Sequence, residues 1–166
     1  MKLPLYRKIT LHTQLTKDQV RQVILENTTP RDNTILGVFN KQPSTKFKGY
    51  LYKDYFRIER VITYRNSFIP LITGHLNTLP NGTEITLTFK PYAFVVVFII
   101  IWTGILLFAT AITFINGINH DTLTKEALIP IGMLIFGSIL FTTLFNSEFD
   151  SAKEELIKIL KSPEKD

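Results

Sequence analysis

Two long runs without a charged side chain constrain this chain more than any other feature of its sequence. Residues 93–115 hold no charged residue over 23 positions, and residues 127–145 hold none over 19. About 20 apolar residues in a helix cross the ~30 Å hydrocarbon layer of a bilayer. A chain of 166 residues has too little interior to bury two such helices. The runs therefore predict a two-helix transmembrane hairpin.

The Lys and Arg residues predict which side of the membrane each part occupies. Residues 1–92 carry 14 Lys and Arg against 6 Asp and Glu, the tail 146–166 carries four Lys, and the loop 116–126 carries one. Because positive side chains beside a span stay in the cytoplasm, we expect both termini to be cytoplasmic. No apolar signal segment precedes the first run. The predicted location is a bacterial inner membrane.

Residues 1–92 have the pattern of an antiparallel sheet domain with one helix. Thr16 and Gln19 form a capping box, and the apolar spacing that follows predicts an amphipathic helix ending near Asn27. The Asn81-Gly82 pair favours a tight hairpin turn. The predicted strands are residues 3–12, Thr34–Asn40, Lys46–Tyr52, Tyr55–Tyr64, Phe68–Leu79 and Thr83–Lys90.

The tail predicts a second amphipathic helix. Asn146-Ser147 breaks the apolar run, and an apolar stripe over 149–160 then alternates with charged residues. Its mixed, slightly acidic polar face favours docking on the sheet over lying on the membrane. The predicted fold class is an α+β membrane protein. It has a β-rich domain (1–92), a transmembrane hairpin (93–145) and a docked C-terminal helix (146–166).

The residues that usually carry catalysis or metal binding are sparse. The chain has no cysteine, and its three histidines have no metal-ligand spacing. We therefore expect no catalytic residue, no metal, no cofactor and no enzyme activity. An enzyme acting on a lipid or anionic metabolite would need Arg60, His75 or Glu59 in one pocket.

The basic and aromatic stretch 41–65 supplies the candidate ligand-binding residues, which are Arg57, Arg60, Tyr64 and Arg65. Arg60 shares its strand parity with apolar residues, so it either extends past the strand end or lines a pocket for an anion. Basic residues interleaved with tyrosines can bind nucleic acid or anionic lipid headgroups. Because the domain is tethered to a bilayer, we expect lipid and no nucleic acid. A solvated sheet face with cross-strand tyrosine pairs is the third interpretation.

Short strings over residues 46–100 carry a resemblance. They are Phe47-Lys48-Gly49-Tyr50, Phe56-Arg57-Ile58, Tyr64-Arg65-Asn66-Ser67-Phe68-Ile69-Pro70, Gly74 and Asn81-Gly82-Thr83. This pattern resembles small bacterial membrane proteins in which a β-rich domain directly precedes the membrane segments. The resemblance implies architecture and brings no catalytic residue or ligand. More coarsely, the chain resembles antiphage effectors in which a β-domain senses a signal and helices disrupt the membrane, although their helices precede the β-domain.

The predicted function is a membrane-anchored, non-enzymatic binding or sensing module. Its expected partners are the bilayer and an anionic lipid, a small anionic ligand or a protein. Small residues in both runs, among them Gly104, Gly132 and Gly137, allow close helix approach and are compatible with a homo-oligomer formed through the hairpin, although none forms a strict GxxxG motif. The alternative function is a self-associating, membrane-disrupting effector triggered through the β-domain.

Overall fold

The structure is a computed structural model that describes residues 6–30, 45–119 and 128–160. Within these ranges the fold is α+β, with one six-stranded, mostly antiparallel sheet and three helices. In chain order the elements are β1 (Arg7–Thr13), α1 (Lys17–Glu26), β2 (Thr28–Pro30), β3 (Phe47–Leu51), β4 (Tyr55–Arg60), β5 (Leu71–Leu79), β6 (Gly82–Lys90), α2 (Ala93–Asn119) and α3 (Leu128–Leu160). The predicted strand Thr34–Asn40 lies outside the described residues.

The strand order across the sheet is β1-β6-β5-β4-β3-β2, and only β2 and β3 pair in parallel. The sequence pattern does not predict β2, because a proline followed by polar residues is typical of a turn. Pro30 is tolerated there because β2 is an edge strand, where a missing N–H removes no ladder hydrogen bond on the outer side. Pairing in register places the ends of β1, β4, β5 and β6 nearest Arg7, Arg60, Leu71 and Lys90 at one end of the sheet.

The β5–β6 hairpin depends on a glycine. Leu79 pairs with Gly82 across a turn made by Pro80 and Asn81. Gly82 has a φ of 137°, and a Cβ on it would lie 2.0 Å from the carbonyl oxygen of Thr13 in β1. Glycine suits this position, because it has no Cβ to clash with Thr13 and adopts a positive φ at little cost.

One face of the sheet forms the core. Alternate strand residues such as Leu87 and Phe89 are fully buried beneath α1 and the C-terminal half of α3. Strand side chains alternate between faces, so the other residues of each strand lie on the opposite face, which we call the open face. The helices contribute Val20, Ile24, Phe145, Phe149, Ala152, Leu156 and Leu160 to the core.

The capping box of α1 forms as the sequence predicts. The Thr16 hydroxyl accepts a hydrogen bond from the Gln19 backbone N–H at 3.3 Å, and the Gln19 side chain accepts one from the Thr16 N–H at 2.9 Å. Two N–H groups that the first helical turn leaves unpaired are thereby satisfied. The helix then presents Val20 and Ile24 to the core.

The sequence pattern predicts a span that ends at residue 145 and a separate amphipathic helix after it, whereas α3 continues through Asn146-Ser147 as one helix of 33 residues. Asn and Ser weaken a helix mainly when their side chains compete for backbone groups. Here the Asn146 side chain instead accepts a hydrogen bond from Arg7 Nη2 at 3.2 Å. The apolar run and the amphipathic tail are therefore two parts of one rigid element.

Both α2 and the first part of α3 are long and apolar enough to cross a membrane. In their most apolar windows, only 11% of the α2 residues and 17% of the α3 residues are buried, which is unlike the core helix of a soluble protein. The two helices pack on each other, and Gly137 of α3 lies under the Trp102 ring. A Cβ at Gly137 would lie 3.3 Å from Trp102 Nε1, so the ring approaches the α3 backbone closely.

Packing of α3 on the sheet predicts that Leu156→Ala lowers the free energy of unfolding by about 2–5 kcal/mol, because a fully buried leucine is replaced by a cavity. Leu25→Ala, on the half-exposed face of α1, is the matched control and should change it by about 0.5 kcal/mol or less. Denaturant unfolding in detergent measures both. Equal losses in the two variants would contradict this docking.

Candidate functional site

The connection between β4 and β5 is longer than the sequence predicts. The expected strands Tyr55–Tyr64 and Phe68–Leu79 are shorter in the structure, because β4 ends at Arg60 and β5 begins at Leu71. Residues 61–70 leave the sheet as a loop and contact α3. Hydrogen bonds to α3 replace the ladder bonds that a longer strand would make.

A buried carboxylate on α3 holds this loop. Glu148 is 5% exposed and accepts three hydrogen bonds, from Arg60 Nη1 at 3.0 Å, from the Tyr64 hydroxyl at 2.6 Å and from Asn66 Nδ2 at 2.7 Å. We call these four residues the Glu148 cluster. A buried charge is tolerated only when it is paired and hydrogen-bonded. The Glu148 carboxylate has both an opposite charge beside it and hydrogen-bond donors around it.

Arg60 bridges two carboxylates of α3. Its Nε lies 3.4 Å from Glu155 Oε2, about two helical turns beyond Glu148, and Lys46 Nζ lies 3.6 Å from the other Glu155 oxygen. The Arg60 side chain is 17% exposed. Arg60 shares the core face with Phe56 and Ile58, as the strand parity predicts. The anions that it contacts are carboxylates of the chain's own helix α3.

The Tyr64 phenol is perturbed by the same carboxylate. Its hydrogen bond to Glu148 raises the pKa of Tyr64 above the usual value of 10.0, and burial adds to this because both disfavour the phenolate. The folded protein therefore holds the Tyr64 proton more tightly than the unfolded chain does. This contribution to stability is present below pH 10 and is lost as the pH rises through the raised pKa.

The loop 61–70 also runs along α3 away from the sheet. The Phe68 ring lies 5.7 Å from the Phe141 ring, and Phe141 lies 6.1 Å from Phe98 of α2. Phe141 precedes Glu148 by seven residues, which is about 10 Å of helix. Phe68 thus reaches the apolar part of the helix pair, while the neighbouring Arg65 is exposed.

Other cationic and aromatic residues surround the same end of the sheet, which we call the helix end because α2 leaves from it. Lys90 is the last residue of β6, and its Nζ lies 5.9 Å from the centre of the Tyr6 ring. Arg7 begins β1 and donates to Asn146 of α3. Tyr92 follows and stacks on Phe94 at the start of α2, with ring centres 6.0 Å apart.

The four predicted ligand-binding residues do not form one site. Arg60 and Tyr64 belong to the Glu148 cluster, Arg65 is exposed in the loop, and Arg57 is exposed on the open face. The sequence interpretation missed Glu148 and Asn66. The available signal was Arg60 itself, since an arginine on a buried strand face needs a carboxylate partner.

The three residues named for the enzyme alternative do not lie together. Arg60 lies on the core face, whereas Glu59 and His75 lie on the open face. Among the described residues no group of three His, Cys, Asp or Glu side chains is placed to hold a metal. A groove of about 830 Å³ lies near Leu160, and among the described residues that line it His12 is the only ionisable side chain.

Comparison of the chain with protein-family models, with curated proteins and with solved structures finds no match. The geometry of the chain itself therefore carries the functional argument.

We expect Glu148→Gln to lower the free energy of unfolding by roughly 1.5–3 kcal/mol, because it removes the charge that Arg60, Tyr64 and Asn66 share. The same variant should lower the pKa of Tyr64 toward its usual value, which an ultraviolet titration of the tyrosines measures. Glu154→Gln, at an exposed position of α3, is the control and should change neither. An unaltered tyrosine titration in Glu148→Gln would contradict the cluster.

Proposed function

We propose that this protein is a membrane-anchored, non-enzymatic binding module whose β-domain contacts anionic lipid headgroups. In this proposal α2 and the first part of α3 cross the bacterial inner membrane as a hairpin, and both termini are cytoplasmic. The length and hydropathy of the two helices support the spans, and so does the low burial of their apolar side chains. Exposed apolar surface on this scale is stable only against lipid or protein.

The observation that carries the lipid contact is the position of the loop 61–70. Phe68 lies against Phe141, which also contacts Phe98 about 8 Å inside α2. If α2 and α3 cross a bilayer, Phe68 lies at the depth where the hydrocarbon layer begins, and Arg65 lies close to the headgroups. An apolar ring beside an exposed cation is the combination that interfacial segments use.

The residues around the helix end support the same contact. Tyr6, Arg7, Lys90 and Tyr92 lie where α2 leaves the sheet. Tyrosine rings at this level are typical of the membrane interface, and each cation near an anionic surface contributes about 1 kcal/mol. The Glu148 cluster fixes the loop to α3, so the sheet has one orientation relative to the bilayer.

The lipid proposal predicts that the full chain prefers phosphatidylglycerol to phosphatidylcholine, as measured by spin-labelled lipids in reconstituted vesicles. Arg65→Gln should reduce this preference up to about fivefold, since one cation is lost. Lys53→Gln, at an exposed position in the β3–β4 turn at the other end of the sheet, is the matched control and should leave it unchanged. Equal preference for both lipids in the unmodified protein would end the proposal.

The orientation can be tested by single cysteines, because the natural chain has none. A cysteine replacing Asp121, in the connecting loop outside the described residues, should react with a membrane-impermeant maleimide in intact spheroplasts. A cysteine replacing exposed Lys53 should react only after permeabilisation. Reaction of both cysteines in intact spheroplasts would contradict the proposed hairpin.

A further inference from the structure

The open face of the sheet carries a cluster of aromatic and cationic residues that the lipid proposal does not use. Within the described residues, no helix packs over this face and buries its side chains in the core. The members in the β3, β4 and β5 part of this face are Lys48, Tyr50, Tyr52, Tyr55, Arg57, Glu59 and His75. They lie on the face opposite to the Glu148 cluster.

Three of these rings form a continuous stack across the strands. The Tyr52 and Tyr55 rings are 4.3 Å apart and inclined by 13°, and Tyr55 lies 5.7 Å from the His75 ring. Cross-strand stacking by itself stabilises a sheet. The stack nevertheless ends on Tyr52, which is 47% exposed and lines a groove.

The groove has about 370 Å³ of space and is lined by Tyr50, Tyr52, Lys48, Arg57 and Glu59, among others. Binding sites for small molecules have volumes of about 300 Å³ or more. Tyr50 lies on β3 and Tyr52 directly follows the strand with the same parity, so both belong to the open face. The exposed Tyr52 ring at the groove offers an aromatic surface on which a planar base can stack.

The charges of the groove leave one cation for a ligand. Lys48 Nζ lies 3.1 Å from Glu59 Oε1, so these two residues neutralise each other. Arg57 is exposed and makes no ion pair or hydrogen bond with another described residue. A guanidinium beside aromatic rings binds a phosphate with two parallel hydrogen bonds.

We propose that this groove binds a nucleoside monophosphate, with the base stacked on Tyr52 and the phosphate on Arg57. Among the described residues that line the groove, Arg57 is the cation without a carboxylate partner, and one guanidinium can hold one phosphate group. A nucleic acid strand would need a row of cations, whereas Glu59 and Glu84 add negative charge to the open face. This inference is independent of the lipid contact, which involves the helix end of the sheet.

The test is a saturation-transfer NMR titration of the full chain in phosphatidylcholine nanodiscs, where no anionic lipid competes. AMP and GMP are the probes, and adenosine, inorganic phosphate and a ten-residue oligonucleotide are compared with them. Binding of AMP or GMP at least about tenfold tighter than adenosine or phosphate supports the proposal. Binding of none of the probes overturns it, and so does an oligonucleotide that binds more tightly per nucleotide.

Variants locate the site. Arg57→Gln should weaken AMP or GMP binding about tenfold or more, because it removes a charged hydrogen bond to the phosphate. Tyr52→Leu should weaken it about fivefold or more, whereas Tyr52→Phe keeps the ring and should stay within about twofold. Arg65→Gln is the matched control and should bind nucleotide as the natural chain does.

The variants also separate this inference from the lipid proposal. Arg57→Gln should retain the preference for phosphatidylglycerol, and melting curves check that it is folded. Nucleotide binding that Arg57→Gln and Tyr52→Leu leave unchanged would place the ligand elsewhere and overturn the inference, whatever the lipid measurements show.

Discussion

The buried carboxylate of Glu148 is the interaction on which the rest of the structure depends. It lies just past the apolar run of α3 and accepts hydrogen bonds from Arg60, Tyr64 and Asn66. A charge at 5% exposure costs several kcal/mol unless its partners are all present. The loop 61–70 must therefore leave the sheet to reach it, and β4 must end where it does.

The Glu148 cluster holds the sheet and the apolar helices together as one unit. Because α3 is continuous from Leu128 to Leu160, its apolar half cannot tilt without moving the half that packs on the sheet. The loop carries Phe68 to the apolar helices at one end. On the open face, Arg57 and Tyr52 are exposed in a groove. The proposed lipid contact at the helix end and the proposed nucleotide groove on the open face are therefore separate surfaces of the β-domain, and the groove has no lining residue from α3.

The sequence pattern predicted the elements that depend on local signals. The capping box at Thr16, the turn at Asn81-Gly82 and both apolar runs were recognisable because neighbouring residues alone specify them. Alternation placed Arg60 on the core face. The pattern failed at β2, at the ends of β4 and β5, and at Asn146-Ser147. In each case a contact distant in sequence decided the outcome, such as the bond from Arg7 to Asn146 across 139 positions.

The sequence by itself determined that two uncharged runs follow a basic, β-rich domain, because composition and periodicity are properties of short windows. Only the tertiary structure decided where the four candidate residues lie. Arg60 and Tyr64 satisfy an internal carboxylate, Arg65 lies in the loop beside α3, and Arg57 lies on the other face. Parity gives the face of a strand residue but not its partner, since the partner is set by how α3 crosses the sheet. The position of α3 on the sheet results from packing between residues that are distant in sequence.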